Sequence, residues 1–198
     1  MSVINILSRL LFYINFIIWL VPPFRQYKGG FFFYFLILAL TDIFGILIFY
    51  SFGISSPYFY APSSFALFLI SLYYLQYIKP GLILSNILIF ILGSALFLVF
   101  NNLRILISLM ALFHFQTFCL FIIYFVRKLF VRNILYTYFL FLIFYEFTVI
   151  VKSLSYVLDI KTGLTIIHIL NILEVLICLY FIIYNQKTNP RIYLKSGT

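Results

Sequence analysis

The chain has very little charge. Only 9% of its 198 residues are charged, whereas 66% are hydrophobic, and the mean hydropathy is +1.19. A soluble domain carries about 25% charged residues, so this composition excludes an ordinary soluble globule. Because a membrane-crossing helix takes about 20 residues, seven crossings would use most of the chain. The composition therefore predicts an integral membrane helical bundle with little room for a separate catalytic domain.

Residue types that carry catalysis or bind metals are also scarce. The two cysteines lie in apolar runs, which gives no sign of a disulfide framework. The sequence has no pair of histidines at metal-ligand spacing on one run, no phosphate-binding glycine loop and no glycine-flanked serine elbow. His114 and His168 differ in expected depth by about 8 Å at 1.5 Å per residue, so a haem held by His114 or His168 is disfavoured. We expect no enzyme activity, no metal and no cofactor.

Seven apolar runs are separated by short segments rich in turn residues. The runs are Val3–Val21, Phe31–Tyr50, Tyr60–Ile78, Gly81–Phe100, Leu103–Val126, Ile134–Val157 and Thr162–Tyr184. They lack the alternation typical of barrel strands, so they predict an all-α, polytopic bundle of seven transmembrane helices. Residues 1–184 would form this single domain, and residues 185–198 a short basic cytoplasmic tail. No small-residue cleavage site follows the first run, which we therefore interpret as a helix and not as a signal peptide.

The distribution of positive charge predicts the orientation. One set of loops and the tail carry most of the Lys and Arg residues: Arg25, Lys28, Lys79, Arg127, Lys128, Arg132, Lys187, Arg191 and Lys195. The opposite loops carry only Arg104 and Lys161, while Arg9 and Lys152 weakly oppose the majority. Positive loops stay in the cytoplasm. We therefore expect the C-terminus in the cytoplasm and the N-terminus outside, with the plasma (inner) membrane as the location.

Three of the four acidic residues lie in the middle of apolar runs. Asp42, Glu146 and Glu174 each fall near the centre of a run, and His114 falls at the same depth in another. A charged residue at the centre of a membrane helix costs about 2.5–3.5 kcal/mol, so these acids must pair, bind a cation or stay neutral. Two interpretations remain open, namely polar contacts that fix helix packing and a functional site.

Further polar residues extend this centre toward the outer half. His168, Asn171 and Glu174 recur at three-residue spacing on the last run, which places them along one stripe of a helix. Lys152, on the preceding run, lies at a depth similar to that of His168. The candidate ligand or proton site therefore comprises Asp42, His114, Glu146, Lys152, His168, Asn171 and Glu174.

Aromatic residues are abundant, at 23% of the chain. Several fall near the ends of the runs, as interfacial aromatics do: Trp19, Tyr50, Tyr58, Tyr60, Tyr77, Tyr124 and Tyr184. We interpret the remaining Phe and Tyr residues as lipid-facing bulk.

The sequence favours a small membrane sensor or signalling subunit that binds an outer-side ligand or a proton. The alternative is a proton- or cation-coupled transporter of small solutes, because midplane carboxylates and histidines suit ion relays. In the interiors of the runs, Gly45 and Gly93 are the only clear interruptions, and no three-plus-three repeat is visible, which weakens that alternative. A structural subunit of a membrane complex is a further alternative.

The basic residues at the cytoplasmic side predict a partner. Arg127, Lys128 and Arg132 form a cluster that suits anionic lipids of the bilayer or a cytoplasmic protein, with lipid favoured. Nucleic acid is not expected, because the aromatic residues lie inside apolar runs and not among the Lys and Arg residues.

Overall fold

The computed structural model describes residues 10, 13–27, 29–53, 57–159 and 164–193. Its helices are α1 (13–19), α2 (Pro22–Arg25), α3 (Phe32–Phe52), α4 (Pro57–Tyr74), α5 (Pro80–Phe100), α6 (Leu103–Arg132), α7 (Thr137–Val157) and α8 (Leu164–Ile183). Two short strands are β1 (Ile134–Tyr136) and β2 (Arg191–Tyr193). The predicted all-α class is confirmed. Residues 3–9, 11 and 12 of the first predicted run, Arg9 among them, lie outside the described residues, as do Lys28, Lys161 and Lys195.

The helices begin and end where the sequence supplies capping residues. Pro80 opens α5, where its missing N–H costs nothing. Gly53 and Asn101 adopt left-handed backbone conformations and close α3 and α5. Asn102 caps α6, since its side chain accepts the backbone N–H of Arg104 at 3.0 Å. The predicted breaks near these residues are therefore correct to within a few residues.

Four of the described helices are long and apolar enough to cross a membrane, namely α3, α5, α6 and α7. This supports an integral membrane protein. In α8 the apolar stretch is shorter, over His168–Ile183. Helix α4 has 18 residues, but its first half contains Tyr, Pro and Ser residues that make it less apolar than its neighbours. The full set of seven crossings stays a prediction.

Consecutive helices pack as antiparallel neighbours around α6. Helix α6 packs against α4, α5 and α7. Contacts between α6 and α7 run in opposite directions along the two helices, because His114 meets Glu146 whereas the later Phe121 meets the earlier Phe139. The bundle thus has a basic end, where α6 ends and α7 begins, and an opposite end, where α3, α5 and α7 end.

A small β-ribbon at the basic end corrects the predicted start of the sixth run. Residues Ile134–Tyr136 form β1 instead of helix and pair antiparallel with β2, so that Tyr136 faces Arg191. Asn189 secures this pairing, because its Oδ1 accepts the backbone N–H of Tyr138 at 3.1 Å. An extended segment between two helices satisfies its backbone groups by pairing with the tail. The tail therefore folds against the bundle over residues 185–193.

Buried aromatic rings fill the half of the bundle near the basic end. Phe31 is 1% exposed and lies at their centre. Its ring centroid lies 5.5–6.0 Å from those of Tyr34, Tyr74, Phe121, Tyr138 and Phe139. We call these six residues the aromatic floor. Tilted and edge-to-face contacts pack these rings tightly against one another inside the bundle, so the interpretation of these rings as lipid-facing bulk is wrong.

Helix α5 approaches α6 closely at one glycine. A Cβ atom added at Gly93 would lie 2.6 Å from the Leu109 side chain. We predict that Gly93→Leu overpacks this contact and lowers the free energy of unfolding by about 1–3 kcal/mol, measured as loss of helix content during SDS titration. Gly81→Leu is the control, because nothing lies within 4 Å of its added Cβ. Adding Leu109→Ala should restore part of the loss, and equal effects at both glycines would contradict the prediction.

Candidate functional site

A cavity of about 620 Å³ lies inside the bundle, between α1, α3, α4, α6, α7 and α8. It begins near the middle of the helices, at Asp42 and His114, and reaches Phe49, Pro57 and Leu103 near the opposite end. Its volume falls in the range of sites for small molecules. The cavity therefore lies on the far side of the aromatic floor from the basic end.

Glu174 on α8 is the most connected acid in the cavity wall. Its Oε2 lies 2.6 Å from Lys152 Nζ and accepts the Asn15 side-chain amide at 2.9 Å. Its Oε1 accepts the Thr148 hydroxyl at 3.0 Å. Lys152 also donates to Asn171 Oδ1 at 2.7 Å. The ion pair joins α7 to α8 and is partly buried, since 28% of the Lys152 side chain is exposed. Asn15 connects α1 to it, and the extra hydrogen bonds offset the cost of removing the charges from water.

Glu146 on α7 is completely buried just behind the cavity wall. Its Oε2 lies 2.6 Å from Nδ1 of His114, which lines the cavity. The hydroxyl of Tyr34, a member of the aromatic floor, donates to the other carboxylate oxygen. Glu146 therefore connects α3, α6 and α7, and it joins the cavity wall to the floor.

Asp42 on α3 has a different environment. Its Oδ1 accepts the Tyr60 hydroxyl at 2.7 Å, and both residues line the cavity. The hydroxyls of Thr41 and Ser63, on the same pair of helices, lie 2.7 Å apart. Within the part of the chain that the structure describes, no Lys, Arg or His forms an ion pair with Asp42. Its carboxylate thus lines the cavity with a neutral hydroxyl as its direct partner.

The structure brings together all the predicted site residues except His168. Those in the cavity wall are Asp42, His114, Lys152, Asn171 and Glu174, with Glu146 directly behind. His168 is half-buried on α8 and does not line the cavity. At 3.6 residues per turn, His168 is rotated by about 120° around the helix axis from Glu174. The three-residue spacing therefore does not place His168 and Glu174 on one face of α8.

Several site residues were missed or misassigned from the sequence. Trp19 and Tyr60 were interpreted as interfacial, yet both line the cavity, and Trp19 is 4% exposed with its ring 4.7 Å from that of Tyr145. Asn15 and Tyr34 also belong to the site, although the sequence analysis does not select them. The spacing of Tyr34, Leu38, Thr41 and Gly45 along α3, all buried, was the signal for an interior face.

The predicted lipid or partner surface lies away from the cavity. Arg127 and Arg132 are exposed in the last turns of α6, and Lys128 Nζ lies 5.0 Å from the centre of the Tyr124 ring. Arg191 of β2 adds to this basic end, 5.4 Å from the Tyr136 ring centre. The β-ribbon therefore places a positive charge of the tail beside those of α6.

The cavity combines apolar walls, hydrogen-bonding groups and fixed charges, which suits binding of a small organic molecule. No group of three or more His, Cys, Asp or Glu residues within the described ranges is arranged to hold a metal ion. Comparisons of the chain with protein-family models, curated proteins and solved structures find no match.

We predict that Glu146→Ala destabilises the bundle strongly. The substitution leaves His114 and Tyr34 buried without their common partner, and loss of one member of a buried pair costs about 3–5 kcal/mol. Chemical unfolding in detergent, followed by circular dichroism, measures the change. The control is Asp159→Asn, which removes an exposed ion pair with Arg104 at 3.5 Å, and exposed pairs contribute about 0–1 kcal/mol. Equal effects of the two substitutions would contradict the prediction.

Proposed function

We propose that this protein is a small membrane sensor that binds a small molecule in the central cavity and responds with a change in helix packing. The observation that carries this proposal is the cavity itself, about 620 Å³ in volume and lined by ionisable groups from four helices. Fixed charges inside an apolar bundle are costly and typically functional. The proposal includes seven crossings, an outside N-terminus and a cytoplasmic C-terminus.

The one-sided shape of the cavity favours a sensor over a transporter. The cavity approaches the opposite end, whereas the aromatic floor fills the bundle toward the basic end. A transporter must expose its site to both sides in turn, which here requires separation of the packed rings. A sensor requires only that the packing shift.

A chain of contacts leads from the cavity to the basic end. His114 contacts Glu146, which accepts the hydroxyl of Tyr34 in the floor. Tyr138, another floor residue, donates to buried Gln26, and Gln26 donates to two backbone carbonyls at the end of α8. A ligand that displaces His114 would therefore disturb groups that anchor the basic end. These residues are contiguous in space, and a distance change at the basic end on ligand binding would demonstrate energetic coupling along them.

One observation favours the second candidate, a proton-coupled transporter of small solutes. The His114–Glu146 pair lies at the boundary between the cavity and the aromatic floor. A proton relay between the two ends of the bundle would pass through this boundary.

The sensor and the transporter make different predictions for purified protein in lipid. The probes are 2-phenylethylamine, 2-phenylethanol and 3-phenylpropanoate, which share an aromatic skeleton and differ in charge. We expect at least one probe to change the distance between spin labels at Arg132→Cys and Lys187→Cys, two exposed positions at the basic end, without entering sealed proteoliposomes. Uptake of a probe or of protons would support the transporter. Binding with neither a distance change nor uptake would contradict both.

The basic end is proposed to face the cytoplasm of the plasma membrane and to contact anionic lipids. A single cysteine at Lys187 should be labelled by a membrane-impermeant maleimide only after cell lysis, and one at Asp159 in intact cells, because both positions are exposed at opposite ends. The background carries Cys119→Ser and Cys178→Ala, which remove the free thiols. The reverse labelling pattern would overturn this orientation.

A further inference from the structure

Among the described residues, the ion pairs around the cavity leave one acid without a cation in direct contact. Lys152 pairs with Glu174, and His114 contacts Glu146. Asp42 receives only the Tyr60 hydroxyl among the described residues. A carboxylate in an apolar bundle needs a cation or a proton as its partner. Because Asp42 lines the cavity, that partner can come from the cavity.

A second unsatisfied acceptor lines the same cavity. The Asn15 side-chain amide donates to Glu174, but its Oδ1 is buried and has no hydrogen-bond donor within the described part of the chain. Buried acceptors are normally paired. An ammonium group offers up to three donors and no acceptor, so it matches a wall that presents a carboxylate and an amide oxygen.

The remaining wall suits the organic part of such a ligand. Phe16, Trp19, Phe49 and Tyr145 contribute aromatic side chains to the lining. Aromatic faces attract cations as well as apolar groups. The cationic group of the wall, Lys152, is already engaged by Asn171 and Glu174 and so offers little to an anionic ligand.

We propose that the cavity binds an organic ammonium ion, with Asp42 as its counter-ion and an aromatic or aliphatic skeleton against the ring-lined wall. This inference rests on the proposed function insofar as that function makes the cavity a ligand site. It adds the chemical class of the ligand and assigns the charge-recognising residue.

The test is equilibrium binding to the full chain in lipid nanodiscs by titration calorimetry. The probes are 2-phenylethylamine, which is cationic at neutral pH, the neutral 2-phenylethanol and the anionic 3-phenylpropanoate. We expect the amine to bind at least about tenfold more tightly than the alcohol, as a hydrogen bond to a charged group provides, and the carboxylate to bind weakest. Failure of the amine to bind, or equal or tighter binding of either other probe, overturns the proposal.

Variants assign the preference to Asp42. Asp42→Asn should reduce the affinity for the amine to that for the alcohol and leave the alcohol unchanged, whereas Asp42→Glu should retain the preference. Asp159→Asn, at the exposed acid, is the matched control and should change neither affinity. An unchanged amine preference in Asp42→Asn overturns the assignment. If Asp42→Asn does not fold, the probe series on the wild-type chain and on Asp42→Glu decides the proposal.

The same probes separate this inference from the proposed function. Amine binding without a distance change at the basic end rejects the sensor and leaves the ammonium site standing. A distance change that the alcohol produces at the same concentrations as the amine, or at lower ones, rejects the ammonium site and leaves the sensor standing.

Discussion

A carboxylate inside an apolar helical bundle cannot remain without a partner, and this constraint organises the structure. Glu146 receives groups from two other helices, and Glu174 receives groups from two more. Each acid thereby fixes the rotation of its own helix and the register of its neighbours. Apolar side chains alone discriminate weakly between alternative registers in a lipid environment, because lipid tails are equally apolar. The acids therefore specify the arrangement that the rings and aliphatic side chains fill.

The two halves of the bundle differ in how their interiors are filled. Near the basic end, packed rings around Phe31 fill the interior, and the hydroxyls of Tyr34 and Tyr138 donate to Glu146 and Gln26. Toward the opposite end, polar side chains leave a cavity in place of a filled core. The first half of α4 has reduced hydropathy because it lies beside the cavity, which Tyr60, Ser63 and Ser64 line. The polar composition of α4 is thus explained by the cavity that this helix lines.

The layer of ionisable groups could be predicted because helix rise is constant, so that depth follows from position along a run. Which of these groups contact one another could not be predicted, because the contacts depend on the rotation of each helix about its axis. The predicted position of His168 is wrong for that reason. The pairing of Ile134–Tyr136 with the tail joins segments that are distant in the sequence. Strands this short show no periodic sequence pattern from which the pairing could be predicted. The aromatic assignments failed at Trp19 because ring residues near run ends suit an interface or an interior wall equally well.

The aromatic floor also determines where an electrical potential across the membrane would fall. If water enters the cavity from the opposite end, the cavity would share the potential of that solution, and most of the voltage drop would lie across the ring-filled half. Moving one elementary charge through the whole drop is worth about 2.3 kcal/mol per 100 mV. A cation that entered only as far as Asp42 would cross little of this field, so its occupancy would depend on its concentration and hardly on the voltage. A proton that passed from Glu146 through the rings would cross most of it.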